Sequence, residues 1–147
     1  MSNFRGISDP RDYGSKNPGA TNVFRSGDRL AGLLTFMGDF AKGYFSVVLA
    51  SSGSKILLNY QSSFTAITVF VSITVVLGHI YTVFYGFKGG KGVATTFGVL
   101  LATSFTLWGL ASLVWVITFR ITKVSGIAAI STALSLPVIA FFVIKME

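Results

Sequence analysis

The sequence predicts an all-α integral membrane protein, a polytopic helical bundle whose short polar loops hold the chemistry. Three observations predict it. Hydrophobic residues make up 52% of the 147 positions and charged residues only 12%, against roughly 25% charged in a soluble domain. Mean hydropathy is +0.70. Apolar runs recur at 30–51, 64–87, 93–119 and 125–144, and a helix crosses a bilayer core with about 20 apolar residues. The whole of 1–147 reads as one membrane domain, with 1–29 as a cytoplasmic loop.

Composition narrows the chemistry. There is no cysteine, so disulfides, thiolate catalysis and cysteine metal sites are excluded. One histidine, His79, and five acids, Asp9, Asp12, Asp28, Asp39 and Glu147, poorly supply a zinc site or a two-carboxylate glycosidase. The net charge of +7 suggests cytoplasmic anchoring of loops and an anionic substrate. The polar first 29 residues lack the apolar core of a signal peptide.

Taken in order, the head contains Asp9-Pro10-Arg11-Asp12 and then Gly14-Ser15-Lys16-Asn17-Pro18-Gly19-Ala20-Thr21-Asn22, followed by Arg25. Gly, Pro, Asn and Ser at this density specify turns. Ser15, Asn17, Thr21 and Asn22 offer neutral donors, and Arg25 offers a planar fork suited to phosphate. The same residues also suit a solvated segment flanking the membrane. The first span, 30–51, is interrupted by Gly38-Asp39-Phe40-Ala41-Lys42-Gly43. Asp39 and Lys42 share a helix face and can pair, either as a structural pair orienting the helix or as part of a site. Ser51–Ser63 reads as a short polar connection carrying Lys55.

The second span, 64–87, carries His79, either a hydrogen-bonded structural residue or a chemical one. It leads into Phe87-Lys88-Gly89-Gly90-Lys91-Gly92. Glycine there lets backbone N–H groups approach a ligand, lysine adds positive charge, and the following helix N-terminus favours an anion. The loop is no Walker A motif, and a bland basic turn has the same residues. Residues 93–119 are 27 uncharged positions, long enough for one tilted helix or two short segments turning near Thr103-Ser104. With Arg5, Arg11, Lys16, Arg25 and Arg29 in the cytoplasm, the charge rule places Lys88 and Lys91 there too. It favours a hairpin that returns Arg120 and Lys123 to that side. The last span, 125–144, contains Pro137, which membrane helices tolerate.

These motifs carry a resemblance. Gly14 to Arg25 resembles the first motif of the PlsY family, the bacterial acyl-phosphate:glycerol-3-phosphate acyltransferases. Gly38-Asp39-Phe40-Ala41-Lys42-Gly43 is similar to its Gly-Asp-x-x-Lys-Gly segment, and Gly78-His79 through Thr95 to its second loop motif. The turn ending in Ser125 is similar to its third. The resemblance covers residues 7–144 and implies a seven-helix enzyme of the bacterial inner membrane. Such an enzyme moves a fatty acyl group from acyl phosphate to the 1-hydroxyl of sn-glycerol 3-phosphate, the first step of phospholipid synthesis. The implied partners are acyl phosphate, sn-glycerol 3-phosphate and membrane lipids, with no nucleic acid. The donor is already activated, so no metal, ATP or coenzyme is implied.

Ser15, Arg25, one of Lys88 and Lys91, and Ser125 are implied to bind glycerol 3-phosphate. Asn17, Asn22 and the backbone amides from Gly89 through Gly90 to Gly92 are the candidates around the acyl phosphate and oxyanion, and Thr21 is a further substrate-binding candidate. His79 is a candidate general base, with the substrate's own phosphate as the alternative proton acceptor. Asp39 and Lys42 are expected to hold the first helix against the loops. The family pattern places a helix before the first motif and a further span with a tail after the third, and has proline where this chain has Thr82. Two other readings stay open: an inactive fragment or non-catalytic subunit, and a small anion transporter. A His-x4-Asp acyltransferase is disfavoured, because Phe84 stands where its acid belongs.

Overall fold

The computed structural model describes residues 9–58 and 61–146, whose regular secondary structure is entirely helical. The elements are α1 (Ala20–Phe24), α2 (Arg29–Leu58), α3 (Gln61–Ile80), a 3-10 turn at Val83–Tyr85, α4 (Val93–Thr103), α5 (Phe105–Thr122) and α6 (Ser125–Met146). Among the described residues, four stretches are long and apolar enough to cross a membrane: Arg29–Gly53, Ala66–Tyr85, Phe105–Thr122 and Ser125–Lys145. Large apolar side chains face outward, among them Leu49, Phe70, Phe105 and Leu134, while the buried apolar residues are valines and alanines. That distribution suits lipid, where close helix contact depends on small residues.

The chain divides into two compact units, Met1–Val99 and Leu100–Glu147. In the first, α1 packs on α2 and α2 on α3. Asp28 precedes α2 and caps it: its Oδ1 accepts the Ala31 N–H at 2.8 Å, a carboxylate cap that also suits the helix dipole. Helices α2 and α4 meet backbone to backbone. A Cβ at Gly43 would strike the Thr95 carbonyl, and one at Gly98 the Phe40 carbonyl. In the second unit α5 packs on α6, with Ala111 and Ala128 fully buried. Lys123, at φ 58, ends α5 and donates its N–H to the Phe119 carbonyl at 2.8 Å.

The element boundaries differ from the sequence reading in two places, and in a third the helix break falls where the turn near Thr103-Ser104 is expected. The connection expected over Ser51–Ser63 shrinks, because α2 continues to Leu58 and α3 starts at Gln61. Serine is tolerated there because its hydroxyl can bond back into the helix, as Ser51 Oγ does to the Val48 carbonyl at 2.9 Å. The apolar run 64–87 is not helical to its end: α3 stops at Ile80, whose carbonyl takes the Gly89 N–H at 2.9 Å. The run 93–119 divides at Ser104. Its extended backbone interrupts the helix, and its side chain accepts the Leu107 N–H to start α5. Arg5 and the Lys55 side chain lie outside the described residues.

Candidate active site

The first polar loop is built around one buried amide. Asn22 is 2% exposed. Its Oδ1 accepts the Ser15 N–H at 3.0 Å, and its Nδ2 donates to the carbonyls of Pro10 and Tyr13 at 2.5 and 3.1 Å. Gly14, at φ +57, lies so close that a Cβ would run into Asn22 Oδ1. At Asn22, a candidate around the acyl phosphate, both amide hydrogens and the oxygen are used inside the loop. Asn17 shapes the next turn, accepting the Gly19 N–H at 3.4 Å. Ser15, Thr21 and Arg25 are exposed, and the Arg25 chain runs beside Gly14.

A second group joins α2 to α3. Lys42 Nζ lies 2.6 Å from Asp39 Oδ1 and 2.5 Å from His79 Nδ1, and Nδ1 is 3.4 Å from the same carboxylate oxygen. An ammonium has only donors, so in its contact with Lys42 the Nδ1 atom is the acceptor and Nε2 is the ring nitrogen left to carry an N–H. Nε2 in turn faces Gly90, where a Cβ would collide with it. Gly89 packs equally tightly on the His79 carbonyl. The glycine pair is therefore what lets this loop lie flat on the end of α3. Ahead of it, Phe87 holds a left-handed φ of 62 and donates to the Thr82 carbonyl at 2.9 Å, a conformation that bulky residues adopt only under constraint.

A cavity of about 400 Å³ opens between these groups. Asp39, Lys42, His79, Gly89 and Gly90 line it, together with Asp9, Arg11, Tyr13, Thr35 and Tyr85. Apolar wall comes from Pro10, Pro18, Val23, Ala31 and Leu34. The cavity thus combines cations, neutral donors and hydrocarbon, the mixture that a phosphate carrying an acyl tail requires. Lys88 and Lys91 are exposed on the glycine loop outside the lining, and Gly92 is buried beside Val76 and Ile80. Ser15, Asn17, Thr21 and Arg25 are also outside the lining. Ser125 opens α6 in the second unit.

The family model for glycerol-3-phosphate acyltransferase matches residues 1–146. The chain belongs to the glycerol-3-phosphate acyltransferase family. It is 49% identical over 139 residues to the glycerol-3-phosphate acyltransferase of Methylobacillus flagellatus, an overlap of 95% of this chain and 67% of that one. It is 45% identical over 142 residues to that of Neisseria meningitidis serogroup A, covering 97% and 69%. The fold is similar to the crystal structure of PlsY, an integral membrane glycerol 3-phosphate acyltransferase, in its glycerol 3-phosphate form. There the TM-score is 0.81 at 36% identity, over 97% of this chain and 67% of PlsY. The lysophosphatidic acid form matches at a TM-score of 0.73, over 88% and 62%.

In this member of the glycerol-3-phosphate acyltransferase family, sequence reasoning missed Asp9, Arg11, Tyr13 and Tyr85 as cavity residues. Arg11 Nε lies 2.9 and 3.1 Å from the two Asp9 carboxylate oxygens, and its guanidinium carbon sits 5.0 Å from the centre of the Tyr85 ring. The Asp-x-Arg spacing was visible, but only as a charged turn. Nothing local to the sequence pairs residue 11 with residue 85.

Proposed function

We propose that the chain transfers a fatty acyl group from acyl phosphate to the 1-hydroxyl of sn-glycerol 3-phosphate, giving 1-acylglycerol 3-phosphate and inorganic phosphate. The observation that supports this reading most directly is the cavity, where Lys42, His79 and the Gly89–Gly90 backbone meet an apolar wall. The substrate hydroxyl oxygen attacks the acyl carbon, and the carbon–oxygen bond to phosphate breaks with its electron pair leaving on phosphate. Acyl phosphate is a mixed anhydride, so the protein's task is orientation and stabilisation of the tetrahedral oxyanion. His79 Nε2–H suits that donor role. Its Nδ1 is occupied by Lys42, which leaves no ring nitrogen free to take the hydroxyl proton. We therefore assign that proton to a phosphate oxygen of the substrate. Ser15, Arg25 and the exposed Lys88 and Lys91 are assigned to the glycerol 3-phosphate end. The exposed Tyr81, Phe84, Tyr85 and Phe87 suit the membrane–water interface, and we place this surface on the cytoplasmic face of the inner membrane.

The test is acyl transfer by the purified chain in detergent, with palmitoyl phosphate and labelled glycerol 3-phosphate. Labelled 1-acylglycerol 3-phosphate is the expected product, and Arg25→Ala raises the KM for glycerol 3-phosphate about tenfold or more. No transfer from a demonstrably folded chain would overturn the reading. His79→Gln keeps an N–H near the position of Nε2 and is expected to retain more turnover than His79→Ala. Equal loss in both variants, with folding and KM intact, would make His79 the base.

A further inference from the structure

We infer that Arg11 is a phosphate-binding residue of this site, held in place by Asp9 and Tyr85; the inference rests on the acyl-transfer reading above. Three observations carry it. First, Arg11, Asp9 and Tyr85 all line the cavity that also holds Lys42, His79, Gly89 and Gly90. Second, the guanidinium is fixed on two sides. One edge, through Nε and Nη2, lies on the Asp9 carboxylate, and Arg11's own backbone N–H donates to Asp9 Oδ1 at 2.9 Å. One face lies over the Tyr85 ring at 5.0 Å, a favourable cation–aromatic contact. Third, a guanidinium has five N–H donors, and Asp9 engages two of them. The donors on Nη1 and the second on Nη2 have no protein partner among the described residues.

The result is a solvent-exposed planar fork that Asp9 and Tyr85 orient in the unliganded chain. Planar paired donors match phosphate oxygens better than a lysine does. The contact also ties the first polar loop to the turn that precedes the glycine loop, so the two walls of the cavity are set together. Asp9 and Tyr85 act through Arg11 and are positioning residues; Arg11 itself touches the anion. The phosphate in question belongs either to the acyl donor or to glycerol 3-phosphate, and their KM values separate the two.

The experiment uses the full chain in detergent, varying palmitoyl phosphate and glycerol 3-phosphate independently. Arg11→Ala is expected to raise one of the two KM values about tenfold or more, with a smaller change in kcat. The substrate affected identifies the phosphate. Arg11→Lys recovers only part, because it keeps the charge and loses the fork. Tyr85→Leu raises the same KM by a smaller factor, and Tyr85→Phe restores it, since the ring face is retained. Equilibrium dialysis with labelled inorganic phosphate provides a readout independent of turnover: Arg11→Ala weakens retention relative to the unchanged chain. If the unchanged chain turns over and Arg11→Ala leaves both KM values and phosphate retention as they were, the assignment of Arg11 is wrong and the acyl-transfer reading stands. If the unchanged chain does not turn over, the acyl-transfer reading fails. Dialysis alone then decides whether Arg11 holds phosphate, equal retention by both proteins overturning the assignment.

Discussion

Asp9 shows how a short loop fixes a charge. Its carboxylate accepts from Arg11 Nε and Nη2 and from the Arg11 backbone N–H. The side-chain hydrogen bonds from Arg11, helped by the backbone one and by charge attraction, lower its pKa from 3.8 to about 2. A lowered carboxyl pKa means that the folded loop favours the ionised form. The contribution is therefore complete above pH 3.8 and is lost as pH falls through about 2. Carboxyl carbon NMR of selectively labelled chain should place the Asp9 midpoint well below 3.8, and Arg11→Ala should return it toward that value; a midpoint unmoved by Arg11→Ala would mean the pair does not persist in solution. The i, i+2 spacing of this pair was legible in the sequence, but its cavity and its aromatic partner at residue 85 were not, since both depend on chain reversal over more than seventy residues. The loop partners of Asn22 were hidden for a related reason. Its amide has the donors that a phosphate wants, and only burial at 2% exposure shows that the loop itself uses them. Asp39 and Lys42 were legible as an i, i+3 pair; that His79 completes the group required the packing of α3 on α2.

At the scale of the element, the glycines of α2 are not equivalent. A Cβ at Gly43 meets the Thr95 carbonyl, which is rigid backbone, whereas a Cβ at Gly38 meets nothing within 4 Å. Gly43→Ala therefore forces α2 and α4 apart and is expected to destabilise by about 1–3 kcal/mol, as overpacking does. Gly38→Ala removes helix-weakening freedom at no steric cost and is expected to stabilise by about 0.5–1 kcal/mol. Thermal unfolding of both variants in one detergent compares them directly; equal midpoints would mean that the close α2–α4 approach is absent. The effect of Gly43→Ala should reach the glycine loop, because α4 begins at Val93, directly after Gly92. The apolar runs were legible because hydropathy is summed over many residues. The stop of α3 at Ile80 was not, because a tertiary hydrogen bond from Gly89 sets it. Ser104, by contrast, carries its own cap chemistry, and the expected turn and the observed helix break fall together.

For the molecule as a whole, sidedness follows from where the charge lies. Helices α2 and α3 pack on each other and each has a membrane-length apolar stretch, so the loop around Asp12 and the loop around Lys88 belong on one side and Ser52 near the other. From the cations flanking these helices, with Arg11, Lys16, Arg25 and Arg29 before α2 and Lys88 and Lys91 after α3, we propose by the positive-inside rule that the shared side is the cytoplasmic one. The same rule leads us to propose that 93–119 doubles back, returning Arg120 and Lys123 to the cytoplasm. The chain has no cysteine, so single substitutions Asp12→Cys, Ser52→Cys, Lys88→Cys and Arg120→Cys can be labelled without background in oriented vesicles. An impermeant maleimide should reach positions 12, 88 and 120 from the cytoplasmic side and position 52 from the opposite one. Labelling of 12 and 88 from opposite sides would separate the two loops that wall the cavity, and the proposed site would have no physical basis. Labelling of 120 with 52 would instead mean that 93–119 crosses once, at a charge cost that the asymmetry of the other loops would have to outweigh.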